Sequence, residues 1–309
     1  MSNRPITVLG CFMADLVCRA ERMPRWGETL RGRSFAMGPG GKGSNQAIAA
    51  ARQGASVHLI SRLGRDSFAD MARRIYADEG IDTRHVSEDA ERTTGTASIT
   101  VDDASGENAI VIVPGACDTL GLGEVDAADA AIAASGLFIS QLELPLEVCQ
   151  HGMARARHHG VPVLLNPAPG MAVPDSVLER VDYITPNESE AAALTGRAVE
   201  TDAQVADAAR ALHDRGIPHV LITLGERGVF VRSNGEGQII PAVRAGDPVE
   251  TTGAGDAFNG GLATALVAGR PLLEAARYGN AVAGLSVTRP GAALAMPRQD
   301  EVEALLAQP

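Results

Sequence analysis

Aromatic residues are scarce in this chain, which has one Trp, three Tyr and six Phe among its 309 residues, about 3%. Proteins that bind single-stranded nucleic acid stack bases on such rings, so this scarcity argues against that class of ligand. Basic residues are also few: 27 Lys and Arg stand against 38 Asp and Glu, and the formal net charge is −11. A field of this sign repels a phosphate backbone, so we expect no nucleic-acid partner.

Paired cysteine motifs and long apolar runs are also missing. Cys11, Cys18, Cys117 and Cys149 form no CxxC pattern and no zinc-like spacing with His, which argues against a disulfide framework or a zinc site. No window approaches about 18 consecutive apolar residues, so we expect no membrane span. The apolar run at residues 6–9 is too short for a signal peptide. Together these absences predict a cytoplasmic protein with reduced thiols.

Glycine, in contrast, is abundant, with 34 of 309 residues, while 45% of the chain is apolar and 21% is charged. The usual share of glycine is about 7%. A chain of this length and composition buries a large core without disulfides or metals. The extra glycines therefore need a local explanation.

Short apolar runs alternate with alanine-rich stretches of helical spacing along most of the chain. The runs lie at residues 6–9, 57–60, 161–165, 183–185 and 220–223, and the helical stretches at 45–52, 124–134, 202–215 and 271–286. Apolar runs of this length suit strands that are buried on both faces. The alternation predicts an α/β fold with a mainly parallel sheet.

Two segments, at about residues 15–37 and 93–114, lack a helical period and are predicted to be extended. In the second, residues 96–101 and 108–113 flank a turn-rich connector, which predicts a β-hairpin. Residues 110–113 are apolar on both faces, so we expect cover on both sides, from a ligand and from a second subunit. We expect one α/β domain over residues 1–309, with the two segments forming a small lid.

The strongest chemical signal is TTGAGDAFNG at residues 251–260, where a glycine turn leads into a helix predicted at residues 261–268. Free backbone amides at a helix start bind anions. Asp256 lies among these amides, where a carboxylate can accept a hydroxyl proton while the amides stabilise charge on a transferred group. Asp256 as a plain helix cap is the alternative. Its two flanking glycines favour the chemical role.

Two further polar motifs precede or follow predicted elements. GPGGKGSNQ at residues 38–46 is not a P-loop, because its glycines and Ser are out of register, but Lys42 and Asn45 are able to donate to sugar hydroxyls. The alternative is a solvated lysine in a flexible loop, which this motif taken alone favours. Asn187 and Glu190, three residues apart, fit a capping box. They equally fit a magnesium site in which Glu190 acts through water. Spacing does not choose between these two interpretations.

With these motifs in order, the chain resembles the ribokinase family of carbohydrate kinases, also called the PfkB family, from Val8 to about Pro297. The signature regions are GGKGSNQ at residues 40–46 and ETTGAGDAFNG at 250–260, and residues 166–169, 185–190 and 287–291 also match. The resemblance implies an α/β fold with a Rossmann-like, three-layer ribokinase-type core and a small β-sheet lid. In the family this lid often serves as a dimer contact, so we expect a homodimer.

The resemblance also implies roles for individual residues. Asp256 would deprotonate the primary hydroxyl of a sugar while the amides of Gly253, Ala254 and Gly255 stabilise the γ-phosphate of ATP. The implied sugar contacts, besides Asp256, are Met13, Asp15, Gly41, Lys42, Asn45 and Glu143. The implied ATP contacts are Asn187, Thr223, Gly225, Gly228, Gly255 and Asn280, with Glu190 supporting Mg²⁺ through water.

A potassium site is implied beside the glycine turn, because many members of the family bind a monovalent cation there. The matching positions are Glu250, Thr252, Ser286, Arg289, Gly291 and Ala295. Glu250 stands where Asp is common, and Ala295 stands where Ser is common. The backbone carbonyls are unaffected by both changes, so we expect K⁺ activation alongside Mg²⁺.

The activity implied is ATP-dependent phosphorylation of D-ribose at O5. Met13 stands where the family often has Asn, whose amide bonds a sugar hydroxyl, and a thioether would equally suit 2-deoxy-D-ribose. A nucleoside kinase would need an aromatic pocket, for which the lid offers chiefly Trp26 and Phe35. A phosphosugar kinase would use basic residues such as Arg25 and Arg31. A non-catalytic sugar-binding protein would not need a carboxylate in the glycine turn.

Overall fold

A computed structural model describes residues 4–308 of the chain, and its strands form two sheets. The strands, numbered β1 to β13 in chain order, are Ile6–Leu9, Met13–Ala20, Ser34–Gly40, Val57–Leu63, Asp82–Glu88, Gly95–Asp102, Asn108–Val113, Leu137–Ser140, Val163–Leu165, Tyr183–Ile184, His219–Thr223, Val229–Ser233 and Glu236–Ile240. The α-helices, α1 to α11, are Lys42–Arg52, Ser67–Asp78, Leu122–Ala127, Asp129–Ala134, Leu146–His158, Asp175–Leu178, Glu188–Thr195, Asp202–Asp214, Ala254–Val267, Leu272–Ser286 and Gln299–Leu306.

The larger sheet has the strand order β13-β12-β11-β10-β9-β8-β1-β4-β5. Its neighbours from β11 to β5 pair in parallel, and β12 and β13 add an antiparallel edge. The predicted α/β fold with a mainly parallel sheet is confirmed. Because these strands run in the same direction, their carboxyl ends lie at one edge of the sheet.

Helices cover both faces of this sheet. Side chains of β1 alternate between two hydrophobic clusters, with Val8 in one and Leu9 in the other. The first cluster includes side chains of α1, α2, α9, α10 and α11, and the second includes side chains of α3 to α8. The result is the expected three-layer core, in which the strands are buried on both faces as their apolar runs predict.

The second sheet has the order β3-β2-β6-β7, and the two segments predicted to be extended supply its strands. The predicted hairpin is confirmed, because β6 pairs antiparallel with β7. Only residues 10–12 separate β1 of the larger sheet from β2 of the second. All six residues of β7 are exposed, with Val111 at 67%, so this chain alone does not supply the cover expected over residues 110–113.

Several boundaries differ from the predictions. The helix expected at residues 261–268 begins already at Ala254, because Gly253 takes a left-handed conformation (φ 78°) and acts as the N-cap. The helix expected at 124–134 is divided into α3 and α4 at Ala128. Strands β5, β8, β12 and β13 were not predicted: β8 has only four residues, and β13 is largely exposed. No helix among residues 4–308 is long and apolar enough to cross a membrane.

Helices α1 and α9 approach each other closely at Gly260. A Cβ placed on Gly260 would lie 2.4 Å from the Cβ of Ala49 and 2.8 Å from the backbone nitrogen of Ala50. A side chain therefore does not fit between the helices at this point. About one turn earlier, α1 carries Gln46 and α9 carries Asp256, so this crossing sets the distance between those two side chains.

Candidate active site

A cavity of about 380 Å³ lies where strands β9, β10 and β11 end and α9 begins. This is the carboxyl edge of the larger sheet, where open α/β sheets bind ligands. The cavity brings together residues that are far apart in sequence. Among those predicted as site residues, its lining includes Lys42, Asn187, Glu190, Thr223, Gly225, Gly228, Gly253, Ala254, Gly255, Asp256 and Asn280.

The start of α9 leaves backbone N–H groups at this cavity. Gly253 caps the helix without a side-chain hydrogen bond. The Ala254 amide donates to the Thr251 carbonyl at 3.2 Å. The amides of Gly255 and Asp256 have no acceptor within the first turn, because the first N–H groups of a helix lack intrahelical partners. The positive end of the helix dipole adds to them, so this turn is suited to an anion.

Asp256 is the carboxylate at the centre of the arrangement. Two amide groups of α1 hold it: Asn45 Nδ2 donates to Oδ2 and Gln46 Nε2 donates to Oδ1, both at 2.9 Å. Burial raises the pKa of Asp256, and the charge of Lys42 together with these two hydrogen bonds opposes that rise. A buried carboxylate fixed in this way is suited to general-base chemistry.

Glu143 links the loop after β8 to the start of α1. Gly41, the N-cap of α1, has a φ of 86° and no side chain to cap the helix. The Glu143 carboxylate caps the helix instead, because its Oε2 accepts the Lys42 backbone amide at 2.9 Å. The same oxygen accepts the Cys11 thiol at 3.1 Å. Burial raises the pKa of Glu143, and Lys42 is the main opposing charge.

Lys42 and Asp15 are two further charged residues among the predicted sugar contacts. Burial lowers the pKa of Lys42, but the charges of Asp256 and Glu143 outweigh it and the net shift is upward. The pKa of Asp15 rises to about 6, first through burial and then through Glu143 and other nearby carboxylates. A Cβ on Gly40 would lie 2.2 Å from Asp15 Oδ2, so the missing side chain makes room for this carboxylate.

Met13 is the first residue of β2 and is buried, with 3% exposure. Its backbone pairs with Gly40 of β3 and with Gly95 of β6. The thioether lies in the hydrophobic cluster that also contains Leu9 and Leu142. This position therefore presents an apolar surface.

The residues predicted from the sequence to contact ATP line the rest of the cavity. Asn187 and Glu190 form a capping box at the start of α7, in which Asn187 Oδ1 accepts the Glu190 amide at 2.8 Å and Glu190 Oε2 accepts the Asn187 amide at 2.9 Å. Both residues also line the cavity, so capping and ligand contact are compatible here. Asn280 Nδ2 donates to the carbonyls of Ile240 and Pro241, which fixes the loop after β13.

Of the residues predicted for potassium, Ser286 is the last residue of α10, and the others lie on the segments before α9 and after α10. Glu250 Oε2 accepts the Gly291 amide at 2.8 Å, and the Glu250 amide donates to the Val287 carbonyl at 3.2 Å. The guanidinium of Arg289 pairs with Glu301. Ser286 and Ala295 are buried, whereas Thr252 is exposed. Within residues 4–308 no group of three or more His, Cys, Asp or Glu side chains is placed to hold a metal ion.

Sequence reasoning missed the amide network beneath Asp256. Gln141 Nε2 donates to Gln46 Oε1 at 2.8 Å, and Gln46 Nε2 donates to Asn166 Oδ1 at 3.0 Å. The signal available in the sequence was a large amide, Gln46, directly before the small and apolar residues 47–51 of α1. Among the described residues, Asn45 Oδ1 and Gln141 Oε1 are buried oxygens without a hydrogen-bond partner.

Known proteins are similar to this chain in sequence and in fold. A family model described as pfkB family carbohydrate kinase matches residues 3–299. The chain is 43% identical over 304 residues to the ribokinase of Haemophilus influenzae, covering 98% of this chain and 99% of that one. It is 36% identical over 293 residues to the deoxyribokinase of Salmonella typhi, covering 94% and 95%.

A solved structure of Arabidopsis thaliana ribokinase complexed with ribose and ATP has a TM-score of 0.94 to this chain, with 30% sequence identity and 99% of each chain covered. The similarity extends over both sheets, since almost nothing of either chain is left out. The resemblance inferred from the sequence motifs is thereby confirmed. The chain belongs to the pfkB family of carbohydrate kinases.

Proposed function

We propose that this protein transfers the γ-phosphoryl group of ATP to O5 of D-ribose. The observation that carries the proposal is the position of Asp256, a buried carboxylate at the start of α9 between a cavity for an anion and the polar side chains of α1. The 43% identity to the Haemophilus influenzae ribokinase supports ribose as the acceptor.

In the proposed reaction Asp256 is the base. Its carboxylate accepts the O5 proton as O5 forms a bond to the γ-phosphorus, and the bond from that phosphorus to the leaving oxygen of ADP breaks. The turn formed by Gly253, Ala254 and Gly255 holds the transferred group, with the amides of Gly255 and Asp256 and the helix dipole opposing its negative charge. Catalysis then comes from positioning and electrostatics.

The sugar is proposed to bind between the second sheet and α1. Carboxylates and amides suit its hydroxyls, which donate to Asp15 and Glu143 and to the unpaired Oδ1 of Asn45. The full set assigned to the sugar is Met13, Asp15, Gly41, Lys42, Asn45, Glu143 and Asp256.

ATP is proposed to bind in the cavity on the other side of Asp256. The residues assigned to it are Asn187, Thr223, Gly225, Gly228, Gly255 and Asn280, all of which line the cavity. Mg²⁺ fits this site, because Glu190 is a buried carboxylate on the cavity wall and Mg²⁺ on nucleotide phosphates keeps several waters. Bound with ATP, Mg²⁺ supplies positive charge to the phosphates, and Glu190 would hold one of its waters.

A monovalent cation is proposed as an activator beside the start of α9. Glu250 already joins the loops before α9 and after α10 through its bond to the Gly291 amide, and these loops carry the backbone carbonyls that K⁺ needs. The assigned positions are Glu250, Thr252, Ser286, Arg289, Gly291 and Ala295. Arg289 contributes its carbonyl only, because its guanidinium pairs with Glu301.

A second acceptor, 2-deoxy-D-ribose, is favoured by one observation. Met13 presents a buried thioether, which leaves no amide unpaired when the 2-hydroxyl is missing. The 36% identity to the deoxyribokinase of Salmonella typhi supports this alternative.

We also propose that the chain is a single α/β kinase domain of residues 1–309, with residues 15–37 and 93–114 as its lid, and that it forms a homodimer through this lid. The exposed apolar residues of β7 support the dimer, since such a patch marks an interface. We propose a cytoplasmic location, because all four cysteines, Cys11, Cys18, Cys117 and Cys149, are free thiols.

The test measures ADP release from Mg-ATP with ribose, 2-deoxyribose, fructose 6-phosphate and adenosine, with and without KCl. We expect the highest kcat/KM with ribose, the next highest with 2-deoxyribose, and a higher rate with K⁺. Turnover with none of the four acceptors would refute the assignment, and a preference for adenosine or fructose 6-phosphate would replace it.

A further inference from the structure

Asp256 is held from the interior of the protein by buried amides that the reaction as described does not use. Gln46 is fully buried, and its Nε2 donates to Asp256 Oδ1 at 2.9 Å and to Asn166 Oδ1 at 3.0 Å. Its Oε1 accepts from Gln141 Nε2 at 2.8 Å. Every polar atom of the Gln46 side chain therefore has a partner.

The Gln46 amide has one consistent orientation within this network. Asn166 Nδ2 donates to the Thr185 carbonyl at 3.0 Å, which turns Asn166 Oδ1 towards Gln46. Two acceptor oxygens, one from Asn166 and one from Asp256, thus face the Gln46 amide. Rotating that amide by half a turn would place Oε1 against both oxygens and Nε2 against the donor of Gln141. Gln46 is therefore able to present only its N–H groups to the carboxylate.

The two oxygens of Asp256 have different surroundings. Oδ1 is bonded to Gln46, which has no exposed surface. Oδ2 is bonded to Asn45, which also has a free acceptor oxygen for a ligand. We propose that Gln46 is the positioning residue of the catalytic base: it fixes Oδ1, so that Oδ2 is the oxygen that accepts the proton of the sugar O5. The inference rests on the proposed kinase function.

The proposed step is balanced without further reactants. The proton passes from O5 to Asp256 Oδ2 while the bond from O5 to the γ-phosphorus forms and the bond to the ADP oxygen breaks, with its electron pair leaving on ADP. Gln46 keeps both amide protons throughout. Its effect is to fix the plane of the carboxylate and to favour the ionised form that accepts the proton.

The charge around Asp256 sets the direction of the expected pH effect. The charged side chains that face it, from α1, β2, the loop after β8 and α7, are Lys42, Asp15, Glu143 and Glu190. Burial raises the pKa of Asp256, while Lys42, Asn45 and Gln46 lower it. Removing the Gln46 donor takes away one interaction that favours the carboxylate. The acid limb of the kcat profile should then move to higher pH.

The experiment compares Gln46→Met with Gln53→Met in the full-length protein, using Mg-ATP and the sugar that the wild type prefers. Gln53 is a matched control, because it is the C-cap residue of the same helix and is also buried. Its Nε2 donates to the Pro297 carbonyl at 2.7 Å and its Oε1 accepts from the Tyr278 hydroxyl at 2.8 Å. Both substitutions therefore remove a buried hydrogen-bonded amide, one within α1 and one at its C-cap.

We expect Gln46→Met to lower kcat by about 10- to 100-fold, since it removes a hydrogen bond to a charged group. The KM for ATP should change by less than about 3-fold, and the acid limb should move up by roughly one pH unit. Gln53→Met should keep the wild-type kcat and acid limb. In an Asp256→Asn background, Gln46→Met should cost no further rate, because Gln46 acts through Asp256.

A wild-type acid limb in Gln46→Met, or an equal loss of kcat in Gln53→Met, would overturn the role of Gln46. If Gln46→Met does not fold, Gln141→Met removes only the donor that orients the Gln46 amide. That variant should show a smaller loss in the same direction, and an unchanged kcat and acid limb there would equally overturn the inference. A wild type that phosphorylates no sugar refutes the proposed function together with this inference. An active wild type with unmoved variants refutes this inference alone.

Discussion

The close crossing of α1 and α9 at Gly260 makes a sharp prediction for Gly260→Ala. The added methyl carbon would lie 2.4 Å from Ala49 Cβ and 2.8 Å from the Ala50 nitrogen. Ordinary carbon contacts are about 3.5 to 4.0 Å, so the helices must separate by about 1 to 1.5 Å. Because α1 carries Asn45 and α9 carries Asp256, the separation also lengthens the 2.9 Å hydrogen bond between them.

The magnitudes follow from this displacement. Overpacking a close helix contact costs about 1 to 3 kcal/mol of unfolding free energy. Replacing a helical glycine with Ala stabilises the helix by about 1 kcal/mol, so the net loss of unfolding free energy is about 0 to 2 kcal/mol. The effect on catalysis is larger, because misplacing a reacting group by about 1 Å costs roughly 100-fold in rate. We therefore expect a folded protein with strongly reduced kcat.

Urea unfolding followed by circular dichroism and ADP release at saturating substrates measure the two effects. Gly123→Ala is the control, since Gly123 lies in α3 and a Cβ there meets no atom within 4 Å. The free energy of unfolding of Gly123→Ala should rise by about 0.5 to 1 kcal/mol, and its kcat should equal that of the wild type. A Gly260→Ala protein with wild-type stability and wild-type kcat would show that the crossing does not set the position of Asp256.

Three further predictions concern single side chains. Asp256→Asn should lower kcat by about 100- to 10,000-fold, while calorimetry finds ATP affinity unchanged; a wild-type rate would remove Asp256 as the base. Met13→Asn should raise the ratio of kcat/KM for ribose to that for 2-deoxyribose, and a constant ratio would contradict the role given to the thioether. The folded pKa of Asp15, about 6, lies above its usual value of 3.8, so its ionisation destabilises the fold as pH rises through 6. Asp15→Asn should therefore be more stable than wild type at pH 7, by about 1 to 3 kcal/mol, and the gain should vanish below about pH 4. If wild type and Asp15→Asn have equal urea midpoints both at pH 7 and below about pH 4, this prediction is contradicted.

The layered core was predictable because it depends on local patterns. Apolar runs such as residues 57–60 have the length of doubly buried strands, and alanine-rich stretches such as 202–215 have a helical period. The turn before α9 was also visible as a glycine motif. The start of α9 was not, because the left-handed conformation of Gly253 allows the helix to begin directly behind it.

The amides beneath Asp256 were beyond sequence reasoning for a different reason. Gln46 reaches Asp256 only because Gly260 lets two helices meet, and those residues are more than two hundred positions apart in the chain. Gln141 and Asn166 come from loops after two separate strands. A pattern within one segment does not encode such a contact. The apolar run of β7 is a different case, since the cover predicted for it comes from a ligand and a second subunit, and within this chain all six residues are exposed.

The placement of Met13 and Asp15 on β2 has a consequence for how such enzymes diversify. These two acceptor-side residues belong to the second sheet, whereas the residues assigned to ATP lie on elements of the larger sheet and its helices. On the proposed assignment, substitutions at Met13 or Asp15 would change contacts to the acceptor without changing any residue assigned to ATP. In evolutionary terms, the part of acceptor recognition that lies on β2 is free to change by itself, whereas Lys42, Asn45 and Asp256 tie the rest of it to the helices of the larger sheet.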